Sequence, residues 1–193
     1  MEPTVAKFSS HQEAGRSDVE YYRRLSPAER LRILLELVYR FQEGANASSE
    51  RLERVIALLN SHQVEYVIVG AYALAFHGHP RYTGDIDLLV RASVENAAKL
   101  EKVIREFGFG AASLSAGDFL SADQVIQLGR PPNRIDLLTA ITGVEFEEVW
   151  NDRIGAELDG LPVSFIGRES LIKNKKATGR TQDKADLEAL GAG

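Results

Sequence analysis

The sequence predicts an α/β (α+β) domain: a mixed β-sheet flanked by helices, preceded by an N-terminal helical segment. Three observations predict it. Short β-branched or apolar runs, with Tyr66-Val67-Ile68-Val69 the first, alternate with stretches of helical periodicity. The order strand, helix, strand, helix and then further strands fits a sheet with helices packed against it. The chain has 193 residues, of which 44% are hydrophobic and 26% charged, sufficient for one main domain with a sizeable core.

Residues 1–17 are polar and aperiodic and read as a mobile tail, 18–61 as the helical segment and 62–193 as the main domain. Ser26-Pro27-Ala28-Glu29 is a helix start, with Ser as N-cap, Pro in the first turn and Glu in the capping-box position. Leu31, Leu34, Leu35, Val38 and Phe41 then recur at helical spacing up to a stop at Gly44. A second helix is expected over 48–61, with Leu52, Val55, Ile56 and Leu59 on one face.

The strand 66–69 ends in Gly70, and the Ala-rich stretch 71–76 favours helix until Gly78-His79-Pro80 breaks it. A second strand is expected over 87–90 with Asp85 just before it. The amphipathic stretch 93–107 follows (Ala97, Leu100, Val103, Ile104, Phe107), ended by Gly108 and Gly110. Residues 111–122 read as loop. Residues 124–128 and 134–140 read as antiparallel strands joined by Arg130-Pro131-Pro132-Asn133. A helix over 145–153, a hairpin over 155–166 turning at Asp159-Gly160, and helices over 169–178 and 183–190 broken at Gly179 complete the chain.

Asp85-Ile86-Asp87 is the sharpest feature. In a strand, residues two apart project to one side, roughly 6.5–7 Å apart at the backbone. Asp is disfavoured in strands, yet this pair leads directly into Leu88-Leu89-Val90. Like charges at that distance raise each other's pKa, and a divalent cation between them removes the conflict. Hard oxygen ligands suit Mg²⁺, with Mn²⁺ as an alternative. Asp136 sits among apolar residues in Arg134-Ile135-Asp136-Leu137-Leu138 and needs a partner if buried. Two partners are open to it: Arg134 on its own strand, or the metal of Asp85 and Asp87, for which it would be the third ligand.

Val69-Gly70-Ala71 lies where a strand meets a helix, and free N–H groups there favour an anion. The stretch 168–184 holds six Lys or Arg against two acids, a local charge of +4 that leaves −9 for the rest of a chain of net charge −5. That asymmetry fits a phosphate-bearing ligand, or a solvated helix face. The overall charge of −5 argues against broad nucleic-acid binding. With no cysteine, disulfides and thiolate metal sites are excluded. No apolar run approaches the roughly 20 residues of a membrane span. The first residues lack the apolar centre of a signal peptide, so a cytoplasmic protein without membrane association is expected.

Together these segments resemble the nucleotidyltransferase superfamily typified by DNA polymerase β, especially its small bacterial members and the toxin components of abortive-infection systems. The resemblance rests on the strand and turn Val67-Ile68-Val69-Gly70-Ala71, on Gly84-Asp85-Ile86-Asp87-Leu88-Leu89-Val90, and on Arg134-Ile135-Asp136-Leu137-Leu138. The later Lys173-Asn174-Lys175-Lys176, Gly179-Arg180, Asp183 and Asp186 are similar to a motif of the toxin-like branch. The likeness covers about residues 60–190. Gly70-Ala71 departs from the usual Gly-Ser or Gly-Gly of the turn, so backbone N–H groups must replace a serine hydroxyl.

The resemblance implies a sheet of the nucleotidyltransferase type and transfer of a nucleoside monophosphate from an NTP such as ATP to a hydroxyl acceptor. That acceptor would be an RNA such as tRNA, a protein or a small molecule, with a link to toxin–antitoxin pairs. It implies that Asp85, Asp87 and Asp136 are catalytic and ligate the metal. Gly70, Ala71, Arg81, Thr83, Lys173, Lys176 and Arg180 would bind the nucleotide. Beside these roles stand plainer ones: surface solubility for Lys173 and Lys176, pairing with Asp183 or Asp186 for Arg180, helix-end packing for His77, and core packing for Tyr72 and Trp150. An inactive nucleotidyltransferase-fold binding or regulatory module, antitoxin-like or a partner subunit, is the alternative to an enzyme. The N-terminal helices would then offer a protein-binding surface. The complete set of three acids favours the enzyme.

Overall fold

In the computed structural model, residues 24–40, 45–109, 114–129 and 134–193 are described, with only the backbone for 36–40 and 45–49. The expected tail, the side chain of Val38, Phe41, Gly44, Gly110 and the turn at 130–133 lie outside this description. Among the described residues the order is α1 (Pro27–Arg40), α2 (Ala45–Ser61), β1 (Tyr66–Val69), α3 (Gly70–Phe76), β2 (Asp85–Val90), α4 (Val94–Ile104), β3 (Val125–Leu128), β4 (Arg134–Leu138), α5 (Phe146–Asp152), β5 (Ile154–Leu158), β6 (Leu161–Phe165), α6 (Arg168–Thr178) and α7 (Thr181–Ala189).

The helix starts follow local chemistry. The capping box forms: Ser26 N–H donates to Glu29 Oε2 at 2.7 Å, and Glu29 N–H donates to Ser26 Oγ at 3.3 Å. Ser93 caps α4 by accepting from Asn96 N–H at 3.2 Å. The α4 stretch stops short of its expected end at 107. Gly108 adopts φ 111°, and Arg105–Phe109 closes as a π-turn that still buries Phe107. The stretch expected as loop contains a 3₁₀ turn, Ala116–Phe119, which buries Phe119. Asp159 and Gly160, at φ 49° and 78°, make the tight β5–β6 turn. Gly179 ends α6 at φ 66°, donating its N–H to the Lys175 carbonyl.

The six strands form one mixed sheet in the order β3-β4-β2-β1-β6-β5. β1 runs antiparallel to β2 and parallel to β6; β4 is parallel to β2 and antiparallel to β3. Alternation assigns Ile86, Leu88, Val90, Ile135 and Leu137 to one face, all buried. Helices α1 and α2 pack over this core: Leu31, Leu34 and Leu35 from α1 and Leu52, Val55, Ile56 and Leu59 from α2 belong to the same apolar cluster as the strands. Arg30 ties α1 to the end of α3, donating to the Phe76 carbonyl at 3.0 Å. No helix among the described residues is long and apolar enough to cross a membrane.

Candidate active site

The polar residues of β2 and β4 share the other face. Strand β2 begins at Asp85, two residues earlier than expected, because Asp85 pairs in register with Arg134. The same parallel register sets Asp87 beside Asp136, and β1 sets Val69 on the other side of Asp87. Three carboxylates and one guanidinium therefore stand as a two-by-two block on adjacent strands.

Each member has a definite partner set. Thr83 is buried, and its hydroxyl donates to Asp85 Oδ1 at 2.6 Å. The Arg134 guanidinium bridges two acids: Nε donates to Asp136 Oδ1 at 2.8 Å, and a terminal nitrogen donates to Asp85 Oδ2. The side-chain amide of Gln127, opposite Asp136 on β3, reaches Asp136 Oδ2 at 3.4 Å. Asp87 accepts no hydrogen bond of this kind from the described residues. Burial pushes its carboxyl up to about 6, with the Asp85 and Asp136 charges acting in the same direction and Arg134 and Arg180 opposing them. Negative charge at Asp87 is thus incompletely compensated.

Gly70 has a structural reason for its identity. Its φ is 64°, and a Cβ there would collide with Oδ2 of Asp87. The missing side chain makes room for a carboxylate of the neighbouring strand. Ala71 follows, buried at the start of α3.

Two adjoining hollows flank the block and share Gly70, Asp87, Asp136, Asn174 and Arg180. One, of about 370 Å³, is rich in charge: Arg81, Thr83, Asp85, Arg134, Lys175 and Asp183 line it. The other, of about 380 Å³, is mixed, with Val69, Val125, Leu138 and Ile141 in its wall beside Asp123, Thr142 and Thr178. Three cations of the first hollow, Arg81, Lys175 and Arg180, are held by α7. Lys175, only 4% exposed, donates to Asp183 at 3.2 Å and to Asp186. Arg81 pairs with Asp186 at 3.2 Å and Arg180 with Asp183 at 2.9 Å. The Asp183 carboxyl is held below its ordinary value: burial alone would raise it, and the hydrogen bonds and charges of Arg180 and Lys175 outweigh that.

The structure thus brings together Gly70, Ala71, Arg81, Thr83, Asp85, Asp87, Asp136 and Arg180. It leaves two expected residues outside. Lys173 points away to Glu148, at 2.6 Å, and Lys176 is exposed and lines neither hollow. The reason is helical phase. Leu171 is buried, and Lys175, one turn on, shares its face, whereas Lys173 and Lys176 lie on the other side. That i, i+4 relation was available as a signal. The sequence offers Arg134 as a partner of Asp136; its bridge to Asp85 depends on strand register, which no local pattern reveals. His77 caps the end of α3 and its Nε2 lies 2.8 Å from the Ile166 carbonyl, away from both hollows. Tyr72 is buried, and Trp150 stacks on Phe146.

The three acids share one face without forming a converged ligand set. Among the described residues no group of three or more acidic or histidine side chains is arranged to hold a metal ion. Arg134 draws Asp85 and Asp136 onto itself.

Residues 48–192 match the family model described as "Nucleotidyl transferase of unknown function (DUF2204)". No curated protein matches the sequence. A Thermotoga maritima protein described as a nucleotidyltransferase superposes with a TM-score of 0.50 at 16% identity, over 71% of this chain and 88% of its own, a likeness of fold. The antibiotic-resistance factor ANT(2'')-Ia gives 0.48 at 16% identity, over 75% of this chain and 83% of its own. An antigenic nucleotidyltransferase-like protein from Paracoccidioides brasiliensis gives 0.44 at 18%, over 74% of this chain and 73% of its own.

Proposed function

This chain belongs to the DUF2204 family of nucleotidyl transferases, and from that premise we propose that its active centre is the Asp85, Asp87 and Asp136 face. The reaction is transfer of a nucleoside monophosphate from an NTP to a hydroxyl acceptor. The observation that carries this reading is the parallel register that sets Asp87 beside Asp136, with Asp85 two residues before it on the same face.

The donor set fits a hard divalent cation, Mg²⁺ above all. It consists of carboxylates alone, and one of them, Asp87, carries negative charge that its surroundings compensate poorly. Asp85, Asp87 and Asp136 would hold the ion once Arg134 lets go. When bound, the cation supplies charge stabilisation for the attacking and leaving oxygens of an in-line displacement.

The chain's own residues do the rest. In the charged hollow, Arg81, Lys175 and Arg180 face the triphosphate as fixed cations, held by Asp183 and Asp186 against collapse onto the catalytic acids. Thr83 fixes the orientation of Asp85. The acceptor enters from the second hollow, which also reaches Asp87 and Asp136. Its hydroxyl oxygen forms a bond to the α-phosphorus, the bond from that phosphorus to the β-phosphate oxygen breaks, and pyrophosphate leaves. Asp136 takes the hydroxyl proton.

The test is label transfer. The protein is incubated with each α-³²P-labelled NTP, Mg²⁺ and cell lysate or total RNA, and acceptors are resolved by size. Wild type should label an acceptor with at least one NTP, and Asp87→Ala should lower transfer by about a hundredfold or more, as for groups acting on transition-state charge. Transfer that survives Asp87→Ala would sink the assignment.

A further inference from the structure

Among the described residues, Arg134 is the one cation of the charged hollow whose partners are the proposed catalytic acids. Arg81 and Arg180 are paired with Asp186 and Asp183 on α7, and Lys175 with both. Arg134 instead binds one oxygen each of Asp85 and Asp136. It is 24% exposed at the side chain and lines the same hollow as the three other cations. A divalent cation and this guanidinium need the same oxygens. One arginine therefore competes with the cation. Once displaced, it is a free positive charge on the wall of the hollow that faces the triphosphate.

We propose that Arg134 is a positioning residue that changes partners during substrate binding. It holds Asp85 and Asp136 until a divalent cation takes them, and then turns to the phosphates that arrive with the cation. This rests on the assignment of the metal to Asp85, Asp87 and Asp136. The consequence is a coupling. The cation alone binds weakly, because it must expel a guanidinium that has no new partner. The cation with a polyphosphate binds strongly, because the expelled guanidinium gains one. Such exchange ties two ligands together through a single side chain, and the coupling is reciprocal. Arginine suits the role because its planar fork spans two carboxylates and equally suits phosphate oxygens, which a lysine ammonium does not do at once.

The test uses Mn²⁺ alone and the Mn²⁺ complex of inorganic tripolyphosphate, each titrated calorimetrically into wild type, Arg134→Gln, Arg134→Lys and Asp87→Asn. The proposal expects opposite signs for one substitution. Arg134→Gln should bind Mn²⁺ alone roughly tenfold tighter than wild type, and Mn²⁺-tripolyphosphate roughly tenfold weaker, inside the usual range for coupled sites. Arg134→Lys keeps the charge but loses the bridge. It should also bind Mn²⁺ alone more tightly than wild type while keeping most of the affinity for the complex. A merely structural arginine would weaken both ligands together, and that result overturns the proposal. So does Mn²⁺ binding that is unchanged in both Arg134 variants. Asp87→Asn separates the two failures. If it abolishes Mn²⁺ binding while the Arg134 variants match wild type, the metal site stands and the exchange does not. If Asp87→Asn binds Mn²⁺ like wild type, the metal assignment falls and takes the exchange with it.

Discussion

Asp87 is placed where a folded chain should resist putting a charge. It lies over Gly70, beside Asp136 and two residues after Asp85, and its carboxyl titrates at about 6 because of burial and those two acids, with Arg134 and Arg180 offsetting only part. The sign of the stability effect follows. At low pH the group is neutral in folded and unfolded chains alike. As pH rises from the ordinary 3.8 towards about 6, the unfolded chain releases the proton first, so the group's contribution to stability falls, and above that window it stays lost. The rise from 3.8 to about 6 corresponds to about 3 kcal/mol. Asp87→Asn should therefore stabilise the protein against urea in the presence of EDTA by ~1–3 kcal/mol at about pH 8, and much less at about pH 4.5. An equal gain at both values, or a loss at the higher one, would contradict this account of Asp87.

At the scale of elements, the two C-terminal helices are built around a buried ion cluster. Lys175 of α6 meets Asp183 and Asp186 of α7, and Arg81, from the segment before β2, joins the same Asp186. Removing one partner of a buried pair leaves uncompensated charge and typically costs 3–5 kcal/mol. Lys175→Met should destabilise the protein by roughly that much, with Arg81 and Arg180 reducing the loss, whereas Lys173→Ala and Lys176→Ala should stay within about 0.5 kcal/mol. Urea midpoints measure all three, and a Lys175→Met variant as stable as the other two would dissolve the cluster as an explanation. The same helices show what a sequence displays and what it hides. Gly179 and the polar break after it mark the α6–α7 junction plainly. The Asp-x-Asp on β2 and the Asp within Ile135-Asp136-Leu137 stand out because acids disrupt apolar strands. The role of Lys175 is only half legible, through its turn from Leu171. The pairing of Arg134 with Asp85 is illegible, since it arises from the register of two strands separated by more than forty residues of chain. Local chemistry writes caps, turns and periodicity into the sequence; which strands become neighbours is decided by the whole core.

At the scale of the whole molecule, the N-terminal helices and the sheet share one apolar interior. Leu34 and Leu35 from α1, Ile56 and Leu59 from α2, Ile68 and Leu88 from the sheet, and Val149 from α5 belong to a single buried cluster. Helix α1 also grips the end of α3 through Arg30, and α3 begins at Gly70, against Asp87. The helical layer thus supports the strand-to-helix turn on which the acids depend. A continuous core unfolds as a unit, whereas a separately folded layer would melt by itself. Leu34→Ala tests this, since it opens a cavity in a fully buried position and should cost about 2–5 kcal/mol. Trp150, the single tryptophan, lies on α5, remote in sequence from α1, and reports the other part of the molecule. Its fluorescence and the far-UV circular dichroism should shift to lower urea together in Leu34→Ala, with one coincident transition. A dichroism curve that splits in two, or a Trp150 midpoint that stays at the wild-type position, would mean that the helical layer folds independently and that the face of Asp85, Asp87 and Asp136 does not rest on it.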